Sequence, residues 1–307
     1  MAKNASPSYE HLFYINGTGI SGVRDLNFSY NISRLPVNSL GIGHVQPVLA
    51  EALVGEVSFS RDFIYQDPIL YLTGDTSVNG SIIYASDLQD TVGQVIGFTS
   101  GYLNSYSISA SVGSTPTTQC SFTVFGQLGS GVRQGELDYS GSSPINVVGF
   151  INQGSINAYV EQSETNRIVD FSQSFAIKRT PIYDLKEKTS QNYYAPTQVI
   201  TETPIEVDTN FTVEIDDYET ANMIDNIRSG VYKRFSLGIN LIDREVIGLQ
   251  DHNSANLKDH DDNVIEGSES STVYDFLSVS GNLISESVST SVDGLLTVNL
   301  QFKNYYK

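Results

Sequence analysis

Val23-Arg-Asp-Leu-Asn-Phe-Ser-Tyr-Asn-Ile-Ser-Arg-Leu-Pro-Val-Asn-Ser-Leu40 reads as a strand, a proline-marked turn and the start of a loop. Leu26, Phe28, Tyr30 and Ile32 point one way, and Asp25, Asn27, Ser29 and Asn31 the other. That is the period of a sheet with one packed and one wet face. The same stretch returns 145 positions later, without a gap, as Ile168-Val-Asp-Phe-Ser-Gln-Ser-Phe-Ala-Ile-Lys-Arg-Thr-Pro-Ile-Tyr-Asp-Leu185. Six of 18 positions are identical, among them Asp25/Asp170, Ser29/Ser174, Arg34/Arg179 and Pro36/Pro181.

Two further matches keep the same order. Gly101–Phe122 lies on Gly281–Phe302 at a spacing of 180, with nine of 22 positions identical, four of them serines. A weaker match at a spacing of 156 sets Val57 over Val213 and Phe59 over Ile215. Self-similarity in order along a chain is the mark of a tandem duplication. The expected organisation is an N-terminal arm over residues 1–19, a first module with its connecting segment over 20–152 and a second module over 153–307.

The remaining sequence agrees with a mostly β fold. Short alternating segments recur between turn clusters, at Ala52–Phe63, Ser81–Ala85, Tyr102–Val112, Thr117–Phe125, Ala158–Val160, Val199–Ile205, Asn210–Ile215, Arg234–Leu241 and Leu296–Phe302. One stretch, residues 217–230, has a helical stripe in Met223, Ile224 and Ile227, with Gly230 placed to end it. In the first copy Pro68 allows only a very short helix.

Composition narrows function. With one cysteine, Cys120, in 307 residues, no intramolecular disulfide and no thiolate metal cluster can form. No apolar run approaches the 18 or so residues that a spanning helix needs. Met1 is followed by Ala-Lys-Asn-Ala-Ser-Pro rather than a basic segment and an apolar stretch, so folding in a cytoplasm is expected. Net charge is −18, from 35 acidic and 17 basic side chains, spread over both halves. Such a surface does not grip phosphates, because affinity for nucleic acid rests on clustered Lys and Arg.

Individual residues point to no catalysis. The four histidines, His11, His44, His252 and His260, are scattered, and no nucleophile-elbow, zinc-helix or phosphate-loop spacing occurs. Asp259-His-Asp-Asp-Asn263 resembles a cation loop, yet lacks the glycine and the distal glutamate in register; a solvated acidic loop is the alternative. Cys120 aligns with Leu300, and Phe122 with Phe302, on strands whose apolar side makes these four residues core candidates. Ser105, Ser107, Ser109 and Ser111, echoed by Ser285, Ser287, Ser289 and Ser291, form a comb at period two. It is either an ordinary wet sheet face or a smooth hydrophilic wall.

The order of features is a strand ending in Arg-x-Pro, a long loop, a strand such as Gly55-Glu-Val-Ser-Phe-Ser-Arg-Asp-Phe63 leading to a short helix, and a closing serine-rich hairpin. It resembles the tube module of long-tailed bacteriophages, and the tandem arrangement resembles tail tube proteins with two fused tube domains. The resemblance implies a tandem duplication of an antiparallel β-sandwich/barrel module whose inner sheet continues through its neighbours around a lumen. Six modules would make a ring, hence a homotrimer with pseudo-sixfold symmetry, stacking into the tail tube of a virion assembled in the host cytoplasm. Its implied partners are other copies of itself, the tape measure protein and transiting DNA in the lumen, and a tail sheath where one is present; it implies no cofactor, no enzymatic activity and no membrane. Asp25, Asn27, Ser29, Asp170, Ser172 and Ser174 become lumen-facing candidates. The loops at 35–50 and 180–196 become candidates for contact with the next ring. Alternatives are another virion β protein (tail terminator, baseplate or capsid decoration) and a β-sandwich carbohydrate-binding adhesin; a glycosidase would need a carboxylate pair that the sequence does not single out.

Overall fold

Alternation at period two dominates the chain, and the computed structural model is correspondingly built of antiparallel strands. It describes residues 11–20, 22–31, 34–37, 41, 46–49, 54–62, 69, 72, 74–84, 94–111, 114–132, 156–160, 163–165, 168–184, 195–215, 224–225, 228–229, 235–242, 272–290 and 295–306. The first half contains β1 (His11–Ile15), β2 (Thr18–Gly19), β3 (Val23–Asn31), β4 (Arg34–Val37), β5 (Gln46–Leu49), β6 (Val54–Asp62), β7 (Val78–Tyr84), β8 (Gln94–Ser111), β9 (Thr117–Val124) and β10 (Leu128–Ser130). The second contains β11 (Ile156–Val160), β12 (Ser163–Thr165), β13 (Ile168–Ala176), β14 (Arg179–Ile182), β15 (Gln198–Thr201), β16 (Ile205–Ile215), β17 (Phe235–Ile242), β18 (Thr272–Ser289) and β19 (Leu296–Tyr306).

One sheet runs through both halves in the order β3-β6-β9-β8-β13-β16-β19-β18. The long strand β8 belongs to two layers. Its C-terminal part lies in this eight-stranded sheet, and its N-terminal part pairs with β7, which continues to β1 and β2. β18 does the same with β17, β11 and β12. In the first half the two layers pack through Phe13 against Phe59, edge to face at 5.1 Å, and through Phe98 against Phe28 and Phe122 at 6.2 and 6.3 Å. Such offset and edge contacts add to the burial of these large rings. Gly101 is required here: a Cβ would sit 2.5 Å from the Phe98 ring.

The pairing registers of the two halves coincide. Leu26 lies opposite Phe59, and Phe171 opposite Phe211. Leu103 lies opposite Phe122, and Leu283 opposite Phe302. The irregularities recur as well, between Val23 and Asp25 as between Ile168 and Asp170, and between Leu103 and Ser105 as between Leu283 and Ser285. The hairpin arms agree too: Arg34 opposes Leu49 and Pro36 opposes Pro47, while Arg179 opposes Thr201 and Pro181 opposes Val199. Among the described residues only β10 lacks a counterpart in the other half.

Three expectations are corrected. Residues 11–19 are not an arm: β1 and β2 form a hairpin within the sheet, with Phe13 and Ile15 buried. Its turn is Asn16-Gly17, whose φ values of 48° and 79° are both positive, as the tight turns favoured in hairpins require. The spacing of 156 is wrong. Phe59 corresponds through both of its neighbours to Phe211, a spacing of 152, because the loop between the arm strands is seven residues longer in the second half. The strand foreseen at Tyr102–Val112 begins at Gln94 instead, since its first half serves the other layer.

The helix expected over 217–230 is represented by helical residues 224–225 and 228–229, with Ile224 fully buried; Met223, Ile227 and Gly230 lie outside the described residues. In the first half the described residues just after Pro68, Ile69 and Leu72, are single 3₁₀ positions.

Candidate functional site: the wet face of the eight-stranded sheet

The inner strands of the eight-stranded sheet turn alternate side chains into the core and the rest to solvent. The core side holds Val57, Phe59, Tyr106, Ile108, Cys120 and Phe122 in the first half and Phe171, Phe211, Val213, Val298, Leu300 and Phe302 in the second, each at most 3% exposed. Cys120, Phe122, Leu300 and Phe302 are therefore all interior, with Cys120 opposite Phe59 as Leu300 is opposite Phe211. The Phe302 ring stacks on Phe211 at 5.3 Å and 7°, the Phe122 ring on Phe59 at 6.1 Å and 11°.

The other side is hydroxylic and acidic. Asp25, Asn27, Ser29, Asp170 and Ser174 are exposed and Ser172 half-buried, all on this face. The serine comb of β8 lies beside them: Ser107 faces Ser174 and Ser109 faces Ser172, while Tyr106, Ile108 and Ala110 turn inward. A groove of about 850 Å³ runs across this surface from Asp25 and Ser60 through Ser107 and Ser121 to Ser174 and Asp208. A smaller one lies between Asp170, Asn210, Ser287 and Asn299.

Carboxylates recur at matching places on this face. Asp25 accepts from the Ser60 amide at 3.3 Å and from its hydroxyl, while Asp170 occupies the same register beside Thr212. Two further pairs were hidden by the mistaken spacing. On β6 and β16, Glu56 corresponds to Asp208 and Asp62 to Glu214, since Glu56 lies opposite Thr123 and Asp208 opposite Lys303. Glu56 accepts from Ser121 Oγ at 3.1 Å. Two described lysines, Lys178 and Lys303, belong to this face. Lys303 donates to Glu206 at 3.0 Å and lies 3.6 Å from Asp208; those two carboxylates raise its pKa. Arg24 neutralises Asp62 from the rim at 2.5 Å. The face keeps a negative balance, so it repels polyanions rather than pairing with them. Among the described residues no three His, Cys, Asp or Glu side chains gather as metal ligands. The Asp259–Asn263 run, His44, His252 and His260 lie outside the described residues.

The Arg-x-Pro motif sits where the halves join. Arg179, with a side chain 1% exposed, donates from Nε to the carbonyl of Leu103 at 3.1 Å and from a terminal nitrogen to Thr201 Oγ1; the same nitrogen lies 3.5 Å from Asp75. Its guanidinium also stands 5.7 Å from the Tyr102 ring centre. Burial lowers its pKa, and Asp75 and Tyr102 oppose that shift. The Leu103 carbonyl falls at the register break in β8, where the ladder is interrupted, and an arginine fork is suited to such an acceptor. Pro181 lies in the adjoining arm; Arg34 and Pro36 hold the same register positions in β4.

No protein family matches this chain, and no curated protein does. Among solved structures it is similar to a chain from the tail of an empty gene transfer agent particle computed with helical refinement and C6 symmetry. Identity is 16%, coverage 40% of this chain and 97% of that one, and the TM-score 0.31. A chain from the virion of a native gene transfer agent particle gives 16%, 42%, 100% and 0.32.

Proposed function

We propose that the chain is a structural virion protein, a tail tube subunit made of two fused tube modules. One observation carries this reading: two halves with the same registers contribute four strands each to a single sheet with an acidic, hydroxylic face. Repeating that sheet around an axis turns it into a barrel, which leaves no edge strand exposed. Three copies would supply six modules, and the wet face would line the conduit through which DNA leaves the particle. In that setting Asp25, Asp170, Glu56 and Asp208 keep a polyanion from adhering, while the serine comb offers only weak, short-range contacts. The arms β4–β5 and β14–β15 are each paired within themselves and available to the next ring.

The test is electron microscopy of the purified protein together with its native mass. Rings or rods of trimers are the expected result. A monomer at every concentration tested, with no rods, would overturn the proposal. Glycan binding without assembly would favour an adhesin instead.

A further inference from the structure

The seam between the halves is visible within one chain. β8 pairs with β13 so that Ser105 opposes Ala176, Tyr106 opposes Phe175, Ser107 opposes Ser174 and Ser109 opposes Ser172. The same two edges stand open at the ends of the eight-stranded sheet: among the described residues nothing pairs with the outer side of β3, the counterpart of β13, or of the C-terminal part of β18, the counterpart of β8. Both edges carry apolar side chains that a neighbouring strand would cover. Tyr30 on β3 is 59% exposed and Val288 on β18 is 53% exposed, although both fall on the core side of the sheet.

We infer that a second copy of this chain occupies these edges in the register of the internal seam, setting Ser287 of β18 opposite Ser29 of the next copy's β3, Ser289 opposite Asn27 and Val288 opposite Phe28. This rests on the tube reading and goes beyond it by fixing which residues meet. The seam between copies differs in composition from the one within the chain. Tyr106 and Phe175 stack at 5.4 Å with planes 19° apart. Their counterparts are Glu286 and Tyr30. Glu286 is held by Arg228, with Nε at 2.8 Å and a terminal nitrogen at 2.5 Å, so Tyr30 meets an ion pair instead of a ring. The permanent seam is aromatic, and the one that must form between separate molecules is a tyrosine against a guanidinium–carboxylate pair.

Directly opposed strand residues lie within disulfide reach, about 4.5–5.5 Å between Cα atoms, whereas diagonal neighbours at about 7–8 Å do not. The chain carrying Ser29→Cys and Ser287→Cys, both wet-face positions, is expected to close into covalent trimers on oxidation. The pair Ser29→Cys with Ser289→Cys and each single variant should not. In sedimentation, Glu286→Tyr, which restores the aromatic pair, is expected to tighten association about two- to tenfold, and Tyr30→Ser to weaken it. Rings or rods that cross-link only through the shifted pair, or through neither, or that Glu286→Tyr loosens, would overturn this seam and leave the tube reading standing. Absence of any assembly in the unaltered chain would instead overturn the tube reading, and the seam with it.

Discussion

Tyr106 and Phe175 lie face to face across the line where β8 meets β13, one ring from each half of the chain. Tyr106 is 2% exposed, so its truncation leaves a cavity where the halves join. Tyr106→Ala is expected to lower unfolding free energy by about 3–5 kcal/mol, and a double-mutant cycle with Phe175→Ala to give a coupling of about 0.5–1.5 kcal/mol in urea titrations. Additive effects of the two substitutions would mean that the stack does not join the halves energetically.

Phe122 and Phe302 occupy corresponding interior positions, each opposite a leucine of the neighbouring strand. Phe122→Ala and Phe302→Ala should therefore cost similar amounts, about 3–5 kcal/mol each. Denaturant melts of the two variants check this, and a cost below about 1 kcal/mol for either would contradict equal burial.

Arg179 binds a carbonyl that the strand ladder leaves aside. Arg179→Met, which keeps much of the stem and loses the fork, should destabilise the chain by about 1.5–3 kcal/mol, the range for hydrogen bonds to a charged group. Arg34→Met should cost the isolated chain less than Arg179→Met does, yet reduce assembly, because in the proposed ring its counterpart contact is made to another copy. Thermal melts and sedimentation separate these effects.

Reversing charge on the wet face tests its proposed role. Asp25→Lys with Asp170→Lys should still give rods, and these should now retain duplex DNA with an affinity that falls steeply with salt, by about 0.9 log unit per log unit of salt for each phosphate contacted. DNA anisotropy at several salt concentrations provides the measurement. Rods that ignore DNA in every salt would place this face away from the conduit while leaving the tube itself intact.

The β character, the alternation of Leu26 and Phe28 with Asp25 and Asn27, and the spacing of 145 were legible because β3 and β13 each turn one apolar face toward the core and run into the same arm without insertion. The 180 spacing is legible for a similar reason, since Ser109 opposes Thr117 as Ser289 opposes Thr297 and the turn between them has the same number of residues. What failed was the middle of the repeat. There the second arm is longer, and Val57 corresponds to Thr209, a buried polar residue whose identity gives no apolar match. A slide of four residues sets Val57 over Val213 and Phe59 over Ile215 and conceals the pairs Glu56/Asp208 and Asp62/Glu214. The hairpin at the start was also missed, although Asn16-Gly17 is the strongest short-range turn signal in that region. β2 is only two residues long, too short to show an alternation of its own.

Pairing β8 with β13 inside one chain changes the statistics of building a closed sheet. A seam between strands on one polypeptide forms at an effective concentration set by the tether, in the millimolar range for short flexible linkers, whatever the dilution of the protein. In a ring of three such chains every second seam is closed as an act of folding, and only the alternate ones depend on encounters in solution. The kinetic order of ring closure falls accordingly, and selection can tune the two kinds of seam separately: one for permanence, the other for when and where rings are allowed to form.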